Sequence, residues 1–360
     1  MTRVYNFSAG PATLPLEVLE SAQKDLVDYH ECGMSVMEMS HRSKDFAEII
    51  ETAEADLRDL LDIPANYRVI FMQGGATGQF AAIPMNLMKN KKADYVVTGN
   101  WSKKASGEAK LFGEVNVVAS SEDVNFTKIP DIDSLKFNGD SDYVYICENE
   151  TVYGAKYPKL PNTGDLPLVS DVSSMFLSEK HDVKKYGVIY GGVQKNIGPA
   201  GLAIVIIRED LITEDILPGT PSILNYKKNS DANSLMNTPN CWGIYMCGLT
   251  FKWLKELGGL DAMHEQNEKK AKKLYDFLDS SKMFNSTVEP SSRSIMNVPF
   301  VTGDADLDAK FISEATEAGL KSLKGHRSVG GMRASIYNAM PPEGVDKLVS
   351  FMEKFEKDNA

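Results

Sequence analysis

The chain has 360 residues, with 39 basic against 50 acidic side chains and a net charge of -11. That length makes two domains the default, and the acidic balance argues against nucleic acid as a general partner. The N-terminus lacks a signal-peptide apolar core, no apolar run is long enough to cross a bilayer, and the four scattered cysteines suggest neither a disulfide frame nor a zinc site, so a reduced, cytoplasmic protein without a membrane partner is expected.

Strand and helix patterns alternate, which points to α/β architecture. Residues 1–15 read as extended and proline-marked. A helix is expected from Leu16 to about Tyr29. Ser43 reads as the N-cap of a second helix over 44–61, whose apolar positions Phe46, Ile49, Ile50, Ala53, Leu57, Leu60 and Leu61 recur at helical spacing. Residues 67–72 form a strand pattern that runs into Gln73-Gly-Gly-Ala-Thr-Gly-Gln-Phe80 and then an apolar helix. Glycines at a strand-to-helix turn let backbone N–H groups approach an anion, with the positive end of the helix behind them. The stretch lacks the Gly-Lys-Ser/Thr ending of a P-loop and is not the dinucleotide GxGxxG. On its own it is either a phosphate cradle or a turn without a ligand.

Residues 94–98 read as a buried strand leading to Trp101 and a lysine-rich helix over 102–112. Trp101 is either a core anchor or a flat face on which a cofactor ring stacks. Further strands are expected at 115–118, 143–146 and 166–171. Thr151 and Asp171 then stand at strand exits, where open α/β sheets bind ligands. A strand over 187–190 enters a glycine-dense turn that holds Lys195, and a strand over 202–207 leaves it. By this pattern Lys195 is either an ordinary loop lysine or a partly desolvated amine suited to a Schiff base with a carbonyl cofactor. Residues 241–255 read as a buried helix. After Gly258-Gly259, helices at 261–280 and 305–318 and a closing helix to about Phe355 alternate with strands at 296–300 and 332–337, which fits a smaller second domain.

Several motifs recur together and in order. They are Asn-Phe-Ser-Ala-Gly-Pro-Ala (6–12), Ser-His-Arg (40–42), Gly-Gly-Ala-Thr-Gly-Gln-Phe (74–80), Trp101, Asn-Glu-Thr (149–151), Asp171 with Ser173-Ser174, Gln-Lys-Asn-Ile-Gly-Pro-Ala-Gly (194–201), Asn-Thr-Pro (237–239), Gly-His-Arg (325–327) and Gly-Gly-Met-Arg-Ala-Ser-Ile-Tyr-Asn (330–338). From end to end this set resembles the phosphoserine aminotransferases, fold-type I enzymes of the class-V aminotransferase family that use pyridoxal 5′-phosphate (PLP).

The resemblance implies an α/β fold with a large PLP-binding domain over 16–258, built on a mainly parallel seven-stranded sheet flanked by helices. A smaller α/β domain would combine 1–15 with 259–360. It further implies that Lys195 holds PLP as a Schiff base and later moves a proton at the substrate Cα, and that Asp171 pairs with the pyridine nitrogen. Trp101 would stack on the ring and Thr151 would bond near its phenolic oxygen. Ala76, Thr77, Ser173 and Gln194 would complete the cofactor site, and Asn237 and Thr238 would reach the phosphate from the second subunit of a homodimer. Arg333 would take the substrate α-carboxylate. His41, Arg42, His326 and Arg327 would take the distal phosphate of phosphoserine or the side-chain carboxylate of glutamate, since arginine's planar fork suits both anions. The implied reaction is transamination between 3-phosphohydroxypyruvate and L-glutamate in serine biosynthesis, and 4-phosphohydroxythreonine of vitamin B6 synthesis is a further substrate to consider. Two positions depart from some bacterial members, which carry Gly-Arg at Ala76-Thr77 and serine at Ala9. No metal site is expected.

Overall fold

A computed structural model describes residues 3–359. The first half runs β1 (Tyr5–Asn6), α1 (Leu16–Lys24), α2 (Lys44–Leu61), β2 (Tyr67–Gln73), α3 (Ala76–Leu87), β3 (Lys92–Val97), α4 (Asn100–Ala109), β4 (Glu114–Ser120), β5 (Val144–Cys147), β6 (Asn149–Glu150), β7 (Ala155–Lys156) and β8 (Leu168–Asp171). The second half runs β9 (Val188–Gly192), β10 (Leu202–Arg208), α5 (Tyr226–Asp231), α6 (Cys241–Glu256), α7 (Gly259–Ser280), β11 (Asn285–Ser286), β12 (Asn297–Val301), α8 (Ala305–Glu317), β13 (Leu320–Lys321), β14 (Met332–Ser335) and α9 (Pro342–Asn359).

The main sheet has seven strands in the order β2-β10-β9-β8-β5-β3-β4. Only β10 is antiparallel to its neighbours, so the other six strands end at the same edge. Alternation along each strand splits the core in two. Val69, Phe71, Ile204 and Ile206 face the side covered by α2 and α6. Ile70, Met72, Val205 and Ile207 face the side where Phe80 and Ile83 of α3 and Ala105 of α4 pack. With helices on both faces, the central strands are apolar on both, as the unbroken run in β10 shows.

A separate apolar cluster joins Phe7 to α7, α8, α9 and the antiparallel sheet β11-β12-β14. The N-terminal strand β1 pairs with β13, which fastens the start of the chain to this second core. Lys270 of α7 is buried here, and its ammonium donates to the carbonyls of Ile336 (3.0 Å), Tyr337 (2.7 Å) and Met340 (3.1 Å). It closes the turn that follows β14, adding to the Met340 N bond on the Tyr337 carbonyl and giving the buried Ile336 and Met340 carbonyls a donor.

The second helix has the expected bounds, and the Ser43 hydroxyl accepts from Phe46 N at 3.2 Å. The first helix is shorter than expected. It stops at Lys24, and a 3₁₀ turn follows at Tyr29–Glu31. Leu26 and Val27 continue the apolar run but are exposed, Val27 by 79%. With no core to meet, they add nothing to hold another helical turn. The Asp28 carboxylate instead accepts from Gly33 N at 2.7 Å and shapes a loop.

In the second core, Phe284 is fully buried, with ring centroids 6.0 Å from Phe300 and 5.1 Å from Phe311. Phe284→Ala should destabilise the protein by roughly 3–5 kcal/mol. Chemical denaturation checks this, and a cost below roughly 1 kcal/mol would contradict the packing described.

Candidate active site

Five candidate groups gather because parallel strands share one carboxyl edge. The Gly74-Gly75 turn and the start of α3 follow β2. Trp101 lies in the first turn of α4, after β3. Thr151 comes after β5, Asp171 ends β8, and Lys195 follows β9. The hairpin from β9 to β10 is possible only because β10 is antiparallel, and it holds Lys195 at its tip.

The Lys195 amine donates to Thr151 Oγ1 at 2.7 Å and lies 4.8 Å from the centre of the Trp101 ring. Burial pushes its pKa below the ordinary lysine value, with Arg333 acting in the same direction, while Asp171, Cys147 and Glu150 pull the other way. Asp171 is buried and held on one oxygen by Ser173, through the backbone N–H at 2.8 Å and the hydroxyl at 2.5 Å. Its other oxygen accepts from the Tyr190 hydroxyl at 3.3 Å, and Tyr190 is itself 2.6 Å from the Tyr145 hydroxyl. Gly192 N donates back to Ser173 Oγ at 2.9 Å, so β9 braces the aspartate from the side.

The space beside Gly192 favours glycine. A Cβ there would lie 3.1 Å from Ala76 N and 2.9 Å from Gln194 Oε1. Its absence lets the end of β9 approach the first turn of α3. The N–H groups of that turn have no partner inside the helix. Gln194 Oε1 is buried and unpartnered at the same place. Thr77 is exposed beside it. Thr238 and Asn237 are also exposed, and Thr238 O accepts from Gln73 Nε2 at 2.8 Å, which puts that loop next to the Gly74-Gly75 turn of its own chain.

Cations collect on the second-core side. Arg333 of β14 donates from Nη1 to Thr151 O at 3.3 Å, and its Nε is buried without a partner. The His326 pKa is lowered by burial and then by three positive neighbours, Arg333, Arg327 and Lys104. Lys104 was not singled out from the sequence, although it lies one helical turn beyond Trp101 and 4.8 Å from its ring. His41 and Arg42 lie in the turn before α2. Among the described residues no hydrogen bond or ion pair joins them to Thr151, Lys195 or Arg333, and His41 Nε2 is buried and unpartnered.

The N-terminal segment closes over this region. Ala12 N donates to Gln194 O at 3.0 Å, and the Tyr337 hydroxyl donates to Ala9 O at 2.8 Å. Beside Lys195, Asn196 Oδ1 accepts from Asn338 N at 2.9 Å, and Asn338 Oδ1 accepts from Asn267 Nδ2 at 2.8 Å. These amides join the lysine turn to the second core.

The donor set fits pyridoxal 5′-phosphate. A partly desolvated amine, a braced carboxylate, an indole face and a hydroxyl surround one space. A helix N-terminus and an unpartnered glutamine side chain border it.

The comparisons agree with this geometry. A family model described as aminotransferase class-V matches residues 4–348. A phosphoserine aminotransferase of Bacillus cereus is 55% identical over 360 residues, covering 100% of both chains. The solved phosphoserine aminotransferase of Bacillus circulans subsp. alkalophilus has a TM-score of 0.97 and 45% identity, covering 99% of each chain. A PLP-bound phosphoserine aminotransferase from Trichomonas vaginalis has a TM-score of 0.93 and 42% identity, covering 98% of this chain and 100% of its own. The chain therefore belongs to the class-V aminotransferases and, within them, to the phosphoserine aminotransferase family.

Proposed function

We propose that this enzyme carries out the reversible PLP-dependent transamination of 3-phosphohydroxypyruvate with L-glutamate, giving O-phospho-L-serine and 2-oxoglutarate in serine biosynthesis. The observation that carries this reading is the position of Lys195, bonded to Thr151, whose carbonyl accepts from Arg333, with the braced Asp171 close enough to act on its charge.

Bound PLP supplies an electron sink that weakens the Cα–H bond of an attached amino acid. The chain's own groups do the rest. Lys195 would hold the cofactor, and its amine, once displaced by the incoming amino group, would take and return the proton at Cα, its pKa kept below the ordinary lysine value by burial. Asp171 keeps a proton on the pyridine nitrogen, and Ser173 fixes the direction of that carboxylate. Trp101 covers one face of the ring and Thr151 bonds near its phenolic oxygen. Ala76 and Thr77 at the start of α3, together with Gln194, hold the cofactor phosphate. Asn237 and Thr238 act from the partner in a homodimer, a role supported by their exposure.

Arg333 takes the α-carboxylate through its two-pronged guanidinium. His326, Arg327, His41 and Arg42 hold the distal phosphate or the glutamate side chain. Arg333, Arg327 and Lys104 are close enough to hold the His326 pKa down, so an anion bound among them would favour protonated His326, and a small uncharged substrate would not. The large domain spans 16–258, and 1–15 joins 259–360 in the small one, a division supported by the separate cluster that joins Phe7 to α7, α8 and α9. Among the described residues no helix is long and apolar enough to cross a membrane. We place the enzyme in the cytoplasm. 4-Phosphohydroxythreonine has the same distal phosphate and suits the same cations.

Reduction of the PLP-loaded protein with borohydride should leave a pyridoxyl group on the peptide that contains Lys195, and Lys195→Ala should carry none. A label found elsewhere, or retained in the variant, sinks the assignment of Lys195. In single-turnover half-reactions, phosphoserine and glutamate should react much faster than alanine. Arg327→Ala should raise KM for phosphoserine by roughly 10- to 100-fold, the loss of one charged hydrogen bond, and should change the alanine rate little. Equal loss on both substrates would remove Arg327 from the phosphate site. Sedimentation at working concentration should give twice the chain mass, and a fully active monomer would rule out a shared site.

A further inference from the structure

Glu150 is the residue before Thr151, and its side chain reaches the first turn of α4. It is completely buried. Its two oxygens receive three donors from the first turn of α4. Trp101 N donates to Oε2 at 3.1 Å, and Ser102 donates to Oε1 from its backbone at 2.9 Å and from its hydroxyl at 2.6 Å. That hydroxyl in turn accepts from Thr98 N at 2.9 Å and Gly99 N at 3.1 Å. A carboxylate at a helix N-terminus gains from both the free N–H groups and the helix dipole.

The fit extends to Gly99. A Cβ on that residue would lie 2.5 Å from Glu150 Oε2 and 2.6 Å from its Cγ. The φ of Gly99 is 171°, an extended value open to any residue, so space and not backbone strain favours glycine there. The missing side chain of one element is the slot for the carboxylate of another. Burial pushes the Glu150 pKa up, and the Ser102 and Trp101 donors oppose it.

We propose that Glu150 is a positioning residue that sets the distance between the Trp101 ring and the Lys195–Thr151 pair. The proposal rests on the reading in which Trp101 stacks on the cofactor held by Lys195. Glu150 joins the two sides directly. Its backbone continues into Thr151, which receives the Lys195 amine on its hydroxyl and Arg333 on its carbonyl. Its carboxylate holds the turn that carries the indole. No other hydrogen bond among the described residues ties Trp101 to the β6 side of the site.

The test uses holoenzyme of the natural protein, Glu150→Gln, Gly99→Ala, the double variant and Trp101→Ala. Glutamine keeps the size of the side chain but has one acceptor oxygen, so a donor of α4 meets an NH₂ group. PLP affinity is read by visible absorbance and the seating of the ring by visible circular dichroism. The melting temperature is recorded for each variant. Glu150→Gln and Gly99→Ala should each raise the PLP dissociation constant roughly tenfold and weaken the dichroism band, and the double variant should be no worse than the poorer single one. If Trp101→Ala alters the band while Glu150→Gln leaves band and affinity unchanged, the positioning role is wrong. A lower melting temperature with unchanged affinity and band also overturns it, since that is the mark of a purely structural glutamate. If Trp101→Ala itself leaves the band unchanged, the stacking reading fails and the proposal falls with it.

Discussion

The reversal of one strand is the constraint on which the site depends. Six strands of the main sheet point the same way, and each delivers its next residue to one edge. A seventh parallel strand after β9 would need a crossover of a dozen or more residues. Because β10 is antiparallel instead, Val193–Gly201 turns within a short hairpin, and its tip stays where β9 ended. The strand then lies between β9 and β2. This sets the lysine turn against the turn that begins α3, and a glycine at 192 lets them touch. An amine and an anion-binding helix end thus become neighbours although they are over a hundred residues apart in the chain.

Electrostatics repeats this division between whole and part. The chain is strongly acidic overall, yet Arg333, Arg327 and Lys104 stand together around His326. Many of the acids lie at the surface in pairs with lysine, such as Asp133 with Lys159 and Asp261 with Lys180. Exposed charges are screened over about 8 Å at physiological salt. An arriving anion therefore responds mainly to the nearest cations, not to the net charge.

Local patterns carried much of the fold. The Ser43 cap and the apolar stripe behind it define α2 to the residue, because cap and stripe both act within one helix. The strands around Lys195 were legible as apolar runs bounded by glycine. Trp101, Thr151, Asp171 and Lys195 could be picked out as strand-exit residues, but their convergence depends on strand order, which no local pattern encodes. Glu150, named only as part of Asn-Glu-Thr, and Lys104 carry no visible role in the sequence for the same reason. The partners of Glu150 are 48 and 49 residues away, and Lys104 resembled any other lysine of a solvated helix. The extra turns expected of α1 failed differently: Leu26 and Val27 have the right chemistry and nothing to pack against. No element is expected from the sequence over 211–236, where α5 forms. There, asparagine and serine side chains such as Asn225, Asn229 and Ser234 bond the backbone and take the place of an apolar stripe.

The amides of Asn196, Asn338 and Asn267 have a mechanical meaning. They clamp the residue beside the reactive lysine to the second core through a short row of directional bonds. When two bodies rotate against each other, displacement grows with distance from the seam. Lys195 lies almost on that seam. The loop carrying His326 and the exposed Arg327 is flanked by Gly325 and by Gly330 and Gly331 at positive φ, and none of the seam amides bonds to it. A rotation about that seam would move His326 and Arg327 more than the Lys195 amine.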